Sequence, residues 1–231
     1  MNYKWFKVVR GDLYPGGIKC RVLTELLATE IDADFITYAG CYYGHSAFAL
    51  ALAGNLTKKF VWIYFTHPWK ETYIWKQLLT LNNVCPIADQ DQDQNIVKAI
   101  KLAGRPGNND EKGHYLPVGF DCEPFRRIYV KQMRELEVDP EEIWTTGGSG
   151  VTARCLAEAW PKARINVVNL GVRLNADMGN PYKVWNIPEK LCEEALDPPP
   201  WPSARYYDAK MWQIVKEHAT RKSTTLIWNI A

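Results

Sequence analysis

The sequence predicts an α/β fold, a mostly parallel twisted sheet with flanking helices, on two observations. Apolar runs of strand length recur along the chain, and helix-length segments lie between most of them. Strands that alternate with helices pair in parallel, because each helix returns the chain to the edge where the next strand starts. With 231 residues, 47% apolar and 23% charged, the chain can form a single compact core or two small lobes.

Six runs read as strands: DFITYA (34–39), KFVWIYF (59–65), HYLPV (114–118), EEIWTT (141–146), ARINVVNL (163–170) and TTLIWNI (224–230). Each is short, rich in β-branched or aromatic residues, and bounded by turn formers. Helices are expected over 69–81, 94–103, 122–137, 150–160 and 207–219. In GHSAFALALAG the alanines fall at period two, which suits a strand, yet alanine favours helix; the segment is read as a helix from near Gly44 to Gly54. GRPGNNDEKG (104–113) is dense in turn residues, and in LDPPPWPS (196–203) successive prolines forbid regular hydrogen bonding; both read as irregular.

The charge is nearly balanced, 28 basic against 26 acidic residues, so no long-range field selects nucleic acid or an anionic lipid surface. Six scattered cysteines show no CxxC pair and no zinc-ligand spacing, which points to reduced thiols, a cytoplasmic protein and no metal. The opening MNYKWFKVVRGD lacks a signal-peptide core, and no apolar run approaches the roughly 18 residues of a membrane span. Ten tryptophans and twelve tyrosines are read first as core.

The most informative short motif is EEIWTTGGSGVTARCLAEAW, a strand that enters Gly147, Gly148, Ser149 and Gly150 and then a helix from Val151 and Thr152. Glycines permit close backbone approach, and a helix N-terminus offers unpaired N–H groups and roughly half a positive charge, a combination suited to phosphate or carboxylate. Val151 stands before Thr152 where a Walker A loop needs lysine. Gly148, Gly150 and Ala153 satisfy GxGxxA, but the later NVVNLG has no carboxylate for a ribose, which weakens a dinucleotide reading.

A second feature is Lys19, directly after the two-glycine turn of RGDLYPGGIKCR. Together with TYAGCYYGHSAFALALAG, this stretch resembles the start of the fold-type II pyridoxal-phosphate enzymes, in particular the D-cysteine desulfhydrase and aminocyclopropane-carboxylate deaminase branch. The family's REDL…GGxKxRKL segment falls on Arg10, Asp12, Leu13, Gly16, Gly17, Lys19, Arg21 and Leu23. Its Ser-Gly-Asn-His type turn falls on Tyr43, Gly44, His45 and Ser46; its GSGGT loop falls on GSGVT at 148–152; HYLPVGF and YYDAKMW resemble two later segments. The chain departs from the family at three of these places, with His45 for asparagine, Ser46 for histidine and Val151 for the third loop glycine.

The resemblance implies pyridoxal 5'-phosphate bound to Lys19 as a Schiff base, and a tryptophan synthase beta-like architecture with a reduced small lobe, about 35–115, against a larger lobe of 1–34 plus 116–231. It implies cofactor contacts at His45, Gly147, Gly148, Ser149, Gly150, Val151, Thr152 and Asn229, the last as a neutral partner of the ring nitrogen. Substrate contacts fall on Tyr43, Gly44, His45 and Ser46, and Tyr207 joins Lys19 as a catalytic residue. The implied activity lies at Cα or Cβ of an amino acid: deamination, elimination, β-replacement or decarboxylation. Lysine is nucleophilic only when deprotonated, which burial promotes. Two alternatives stand beside it: a non-catalytic descendant that binds cofactor or phosphate, and an enzyme whose amino acid hangs on a larger carrier such as a modified nucleobase. Nucleic acid enters only as that carrier. A homodimer is expected, and Asp12 and Arg21 are expected to pair with each other.

Overall fold

The computed structural model describes residues 5–66, 72–88, 91–105, 111–170, 182–220 and 224–231. The first three residues of the helix expected over 69–81, and positions 106–110 of the loop expected over 104–113, lie outside them.

The chain divides into two compact units, residues 1–18 with 129–231 and residues 19–128. The first unit holds β1 (Lys7–Arg10), β6 (Glu142–Gly147), β7 (Arg164–Asn169), β8 (Tyr182–Asn186) and β9 (Thr225–Asn229), in the spatial order β1-β9-β6-β7-β8. The second holds β2 (Phe35–Gly40), β3 (Phe60–Phe65), β4 (Val84–Ala88) and β5 (Gly113–Leu116), in the order β4-β3-β2-β5. Every pairing in both sheets is parallel. The α/β architecture with parallel sheets and flanking helices is thus present, with all six expected strands inside it.

Three strands escape the sequence pattern. β1 is four residues long, and β4 and β8 are sheet edges, where burial on both faces does not impose a continuous apolar run. Pro86 in β4 is tolerated there, since an edge leaves one row of N–H groups without a ladder partner.

The helices are α1 (Gly17–Thr29), α2 (Ser46–Leu56), α3 (Tyr73–Leu78), α4 (Gln92–Ala103), α5 (Glu123–Arg134), α6 (Val151–Ala159) and α7 (Trp212–His218). The alanine-rich segment is a helix, and its period-two alanines Ala47, Ala49, Ala51 and Ala53 are all buried. Small residues let α2 lie close to its sheet; a Cβ on Gly54 would come within 2.5 Å of the Val61 side chain. α3 is capped by Thr72, whose hydroxyl accepts from the Trp75 N–H, and α4 by Asp91, which accepts from the N–H groups of Asp93 and Gln94. Residues 196–203 contain no helix or strand, as their prolines predict. The last expected helix is divided, with a 3-10 turn at Asp208–Met211 before α7.

Aromatic residues build much of the core. Phe6, Trp144, Trp201 and Ile227 cluster in the first unit with Met211 and Val215, while Ala39, Tyr64 and Ala99 pack together in the second. No helix among the described residues is long and apolar enough to cross a membrane, and no disulfide joins any of the six cysteines.

Candidate functional site

The glycine turn of the first unit follows directly from β6, whose six residues are all buried. The chain leaves the sheet through Gly148 and Ser149 and enters α6 at Gly150, which has a left-handed backbone (φ 84°). A Cβ would strain that conformation, so glycine is required there. Gly150 is the N-cap and no side chain caps the helix, so the N–H groups of its first turn point out of the helix without an intrahelical acceptor. Tyr207 reaches this turn: its hydroxyl lies 2.8 Å from where a Cβ on Gly148 would be. Val151 is fully buried. Thr152 is buried too, and the nearby phenol of Tyr129 accepts from Trp228 Nε1 at 3.0 Å.

Behind the turn, buried Asp208 ties three segments together. It accepts from Thr146 Oγ1 at 2.7 Å, from the Ile230 N–H at 3.1 Å and from the Ala231 N–H at 3.0 Å. Asn229 is fully buried; its amide nitrogen donates to Asp12 Oδ1 at 3.2 Å and to the Pro202 carbonyl at 3.3 Å, and its oxygen accepts from Ser203 Oγ at 2.6 Å. Both amide hydrogens are engaged, and in this arrangement the residue braces the end of β9. The expected pairing of Asp12 with Arg21 is corrected, because Asp12 is held by Arg10 in a two-point contact of 2.7 and 2.5 Å. Arg10 and Asp12 are near neighbours where β1 ends, whereas Arg21 lies on α1.

In the second unit, Lys19 stands in the first turn of α1, only 7% exposed. Its amine is 3.4 Å from Ser46 Oγ and 5.8 Å from the centre of the Phe120 ring. Ser46 opens α2 after a turn in which the Gly44 N–H donates to the Cys41 carbonyl at 3.3 Å. His45 is the N-cap of that helix but makes no side-chain capping bond; its ring meets Phe48 edge-on at 5.7 Å. Desolvation pushes the His45 pKa down to about 4, so the ring is neutral near pH 7. Tyr43 is buried, with its N–H 3.4 Å from the Cys41 sulfur. The structure therefore assembles Lys19, Tyr43, Gly44, His45 and Ser46 in one unit, and Gly147 to Thr152 with Tyr207 in the other.

Sequence reading missed three contributors. Tyr38, two residues before the end of β2, is buried, and burial raises the pKa of its phenol. Gly119 and Phe120 both have left-handed backbones (φ 72° and 63°), a conformation costing about 1–2 kcal/mol at a residue with a Cβ. Phe120 keeps it while fully buried against Tyr38, at 5.0 Å between ring centres. The third is Asp208. Gly40 is the one sequence hint, since a Cβ there would fall 2.3 Å from the Tyr38 ring.

No protein-family model matches the chain, and no curated protein matches it by sequence. Solved structures do match. An ACC deaminase homologue aligns at a TM-score of 0.73 with 13% identity, over 96% of this chain and 82% of that one. Threonine deaminase isoform 2 from Solanum lycopersicum aligns at 0.66 and 13%, over 98% and 74%. The O-acetylserine dependent cystathionine beta-synthase from Helicobacter pylori aligns at 0.65 and 15%, over 97% and 85%. At such identities the likeness is one of fold, and this chain has the fold of the fold-type II pyridoxal-phosphate enzymes.

Proposed function

We propose that the chain is a pyridoxal-phosphate-dependent enzyme acting at Cα or Cβ of an amino acid, as a deaminase, lyase, β-replacing enzyme or decarboxylase. The observation that carries this reading is the buried amine of Lys19, held beside Ser46 in a chain of this fold. The residues fit the group. An uncapped helix start behind a left-handed glycine suits a phosphate, and the absence of a side chain on Gly148 leaves space at the Tyr207 hydroxyl. Gly148, Ser149, Gly150, Val151 and Thr152 would hold the phosphate through backbone N–H groups, and Lys19 would hold the aldehyde carbon.

Bound there, the cofactor supplies an electron sink for a carbanion at Cα. Lys19 contributes a base: once its nitrogen carries no positive charge it takes the Cα proton and can return it. The N–H groups of Gly44, His45 and Ser46 at the start of α2 bind and orient a substrate carboxylate. His45, being neutral, adds a donor without a competing charge. Tyr207 positions its hydroxyl at the phosphate turn.

The test is absorbance of the purified protein with added cofactor. A yellow species that borohydride fixes onto Lys19, and that Lys19→Ala abolishes, is expected; a protein that stays colourless ends the reading. The non-catalytic alternative draws on Val151 and on the bracing role of Asn229; it predicts bound cofactor whose spectrum no free amino acid shifts. A spectrum shifted only by a carrier-attached amino acid would place the substrate on a larger molecule. The proposal includes a cytoplasmic homodimer, checked by cell fractionation and light scattering.

A further inference from the structure

The first unit holds a cavity of about 140 Å³ at the starts of three neighbouring strands, β1, β9 and β6. Lys7, the first residue of β1, lines it beside its register partner Leu226 in β9. Thr224 and Thr225 line it where β9 begins, and Asp139 and Pro140 where the chain approaches β6. The glycine turn lies past the other end of β6, whose six residues at roughly 3.3 Å each place it about 20 Å away. We propose that this cavity binds a small α-amino acid as its zwitterion, at a site distinct from the glycine turn and independent of the chemistry proposed above.

The charges carry the argument. Lys7 and Asp139 bring opposite charges to the lining of one cavity, yet among the described residues their side chains pair neither with each other nor with any other group. A zwitterion engages both: its carboxylate accepts from the Lys7 ammonium, and its ammonium donates to the Asp139 carboxylate. A simple anion drawn to Lys7 is repelled by Asp139, and a simple cation drawn to Asp139 is repelled by Lys7. A ligand that carries both charges meets no such opposition.

The remaining lining fits the rest of such a molecule. Pro140 and Leu226 are buried and apolar, and they offer a surface for Cα and a short side chain. The Thr225 hydroxyl is already committed, donating to Glu142 Oε2 at 3.1 Å, and so fixes the start of β9 against β6. The Thr224 hydroxyl has no partner among the described residues and adds a donor for the carboxylate. Size sets the class. A water molecule occupies about 30 Å³ of liquid, so the cavity has room for four or five waters, the bulk of alanine or serine but not of an aromatic amino acid.

The experiment is an amide NMR titration of the unaltered protein with L-alanine, read at Thr224, Thr225 and Leu226. Saturable shifts are expected there. Acetate and methylammonium each carry one half of the zwitterion and should bind at least about threefold more weakly; tryptophan should leave these amides unmoved. Lys7→Gln and Asp139→Asn alter exposed residues and should each weaken alanine binding by a similar factor with the urea midpoint unchanged. Acetate binding as tightly as alanine would reveal an anion site only and overturn the proposal, as would shifts that neither variant reduces, or no saturable shift at all. Lys19→Ala separates this site from the proposed function: the alanine response should persist in that variant, and its loss there would overturn a second site. A protein that takes up no cofactor yet keeps the response removes the enzyme reading and leaves this cavity standing.

Discussion

The Tyr207 hydroxyl lies 2.8 Å from the point where a side chain on Gly148 would begin. Both residues belong to the first unit, so the glycine turn after β6 is shaped by a residue nearly sixty positions later in the chain. Gly148→Ala should therefore push the phenol aside, at a cost of about 1–3 kcal/mol for overpacking, and weaken cofactor uptake. Tyr207→Phe in the same chain removes the offending oxygen and should restore most of the stability. Urea unfolding of the single and double variants measures both.

Gly150 is a separate case, because its backbone and not its surroundings demands glycine. At φ 84°, Gly150→Ala should cost about 1–2 kcal/mol, with no rescue by Tyr207→Phe. The same unfolding series distinguishes the two glycines.

Asp208→Ala leaves the Ile230 and Ala231 N–H groups and the Thr146 hydroxyl without their acceptor. Hydrogen bonds to a charged group contribute about 1.5–3 kcal/mol each, so a loss of at least about 3 kcal/mol is expected. Hydrogen exchange should show it first at the end of β9, where Ile230 and Ala231 lie.

Acid should destabilise the protein through His45. Its folded pKa of about 4 lies below the ordinary histidine value because burial penalises the charged ring. A group depressed on folding contributes stability that is present above its unfolded pKa, near 6.5, and that is lost as pH falls through the folded value. The dependence on pH between these two values should flatten in His45→Gln. NMR titration of the ring nitrogens checks the assignment directly.

Glu142 adds a second acid-sensitive element at lower pH. Burial alone raises its pKa, but the Thr220 hydroxyl and N–H and the Arg164 guanidinium outweigh this and bring it below the usual glutamate value. Its contribution is complete above the unfolded value and lost as pH falls through the folded one. Thermal unfolding of Glu142→Gln should accordingly be less sensitive to acid than that of the unaltered protein.

Local pattern was enough for the architecture. The six strands it indicates are short apolar runs between turn formers, and GGSG before a helix marks the glycine turn at the uncapped start of α6. The alanine stripe was ambiguous in period, and its helix follows from propensity together with the close approach of α2 to β3. β1 was hidden by its four-residue length and β4 and β8 by a weak apolar pattern, although β5, also an edge strand, was legible. Lys19 stood out only through its company of motifs; nothing local distinguishes a buried lysine from a surface one.

The sequence by itself determined which segments become strands and helices and where a glycine turn opens a helix, since these depend on neighbouring residues. Only the tertiary structure decided who holds whom: that Arg10 takes Asp12, that Asn229 gives away both amide hydrogens, and that the Lys19 amine lies beside Ser46. The reason is physical. A hydrogen bond forms between groups that folding brings together and desolvates, and no period or propensity along the chain carries that information.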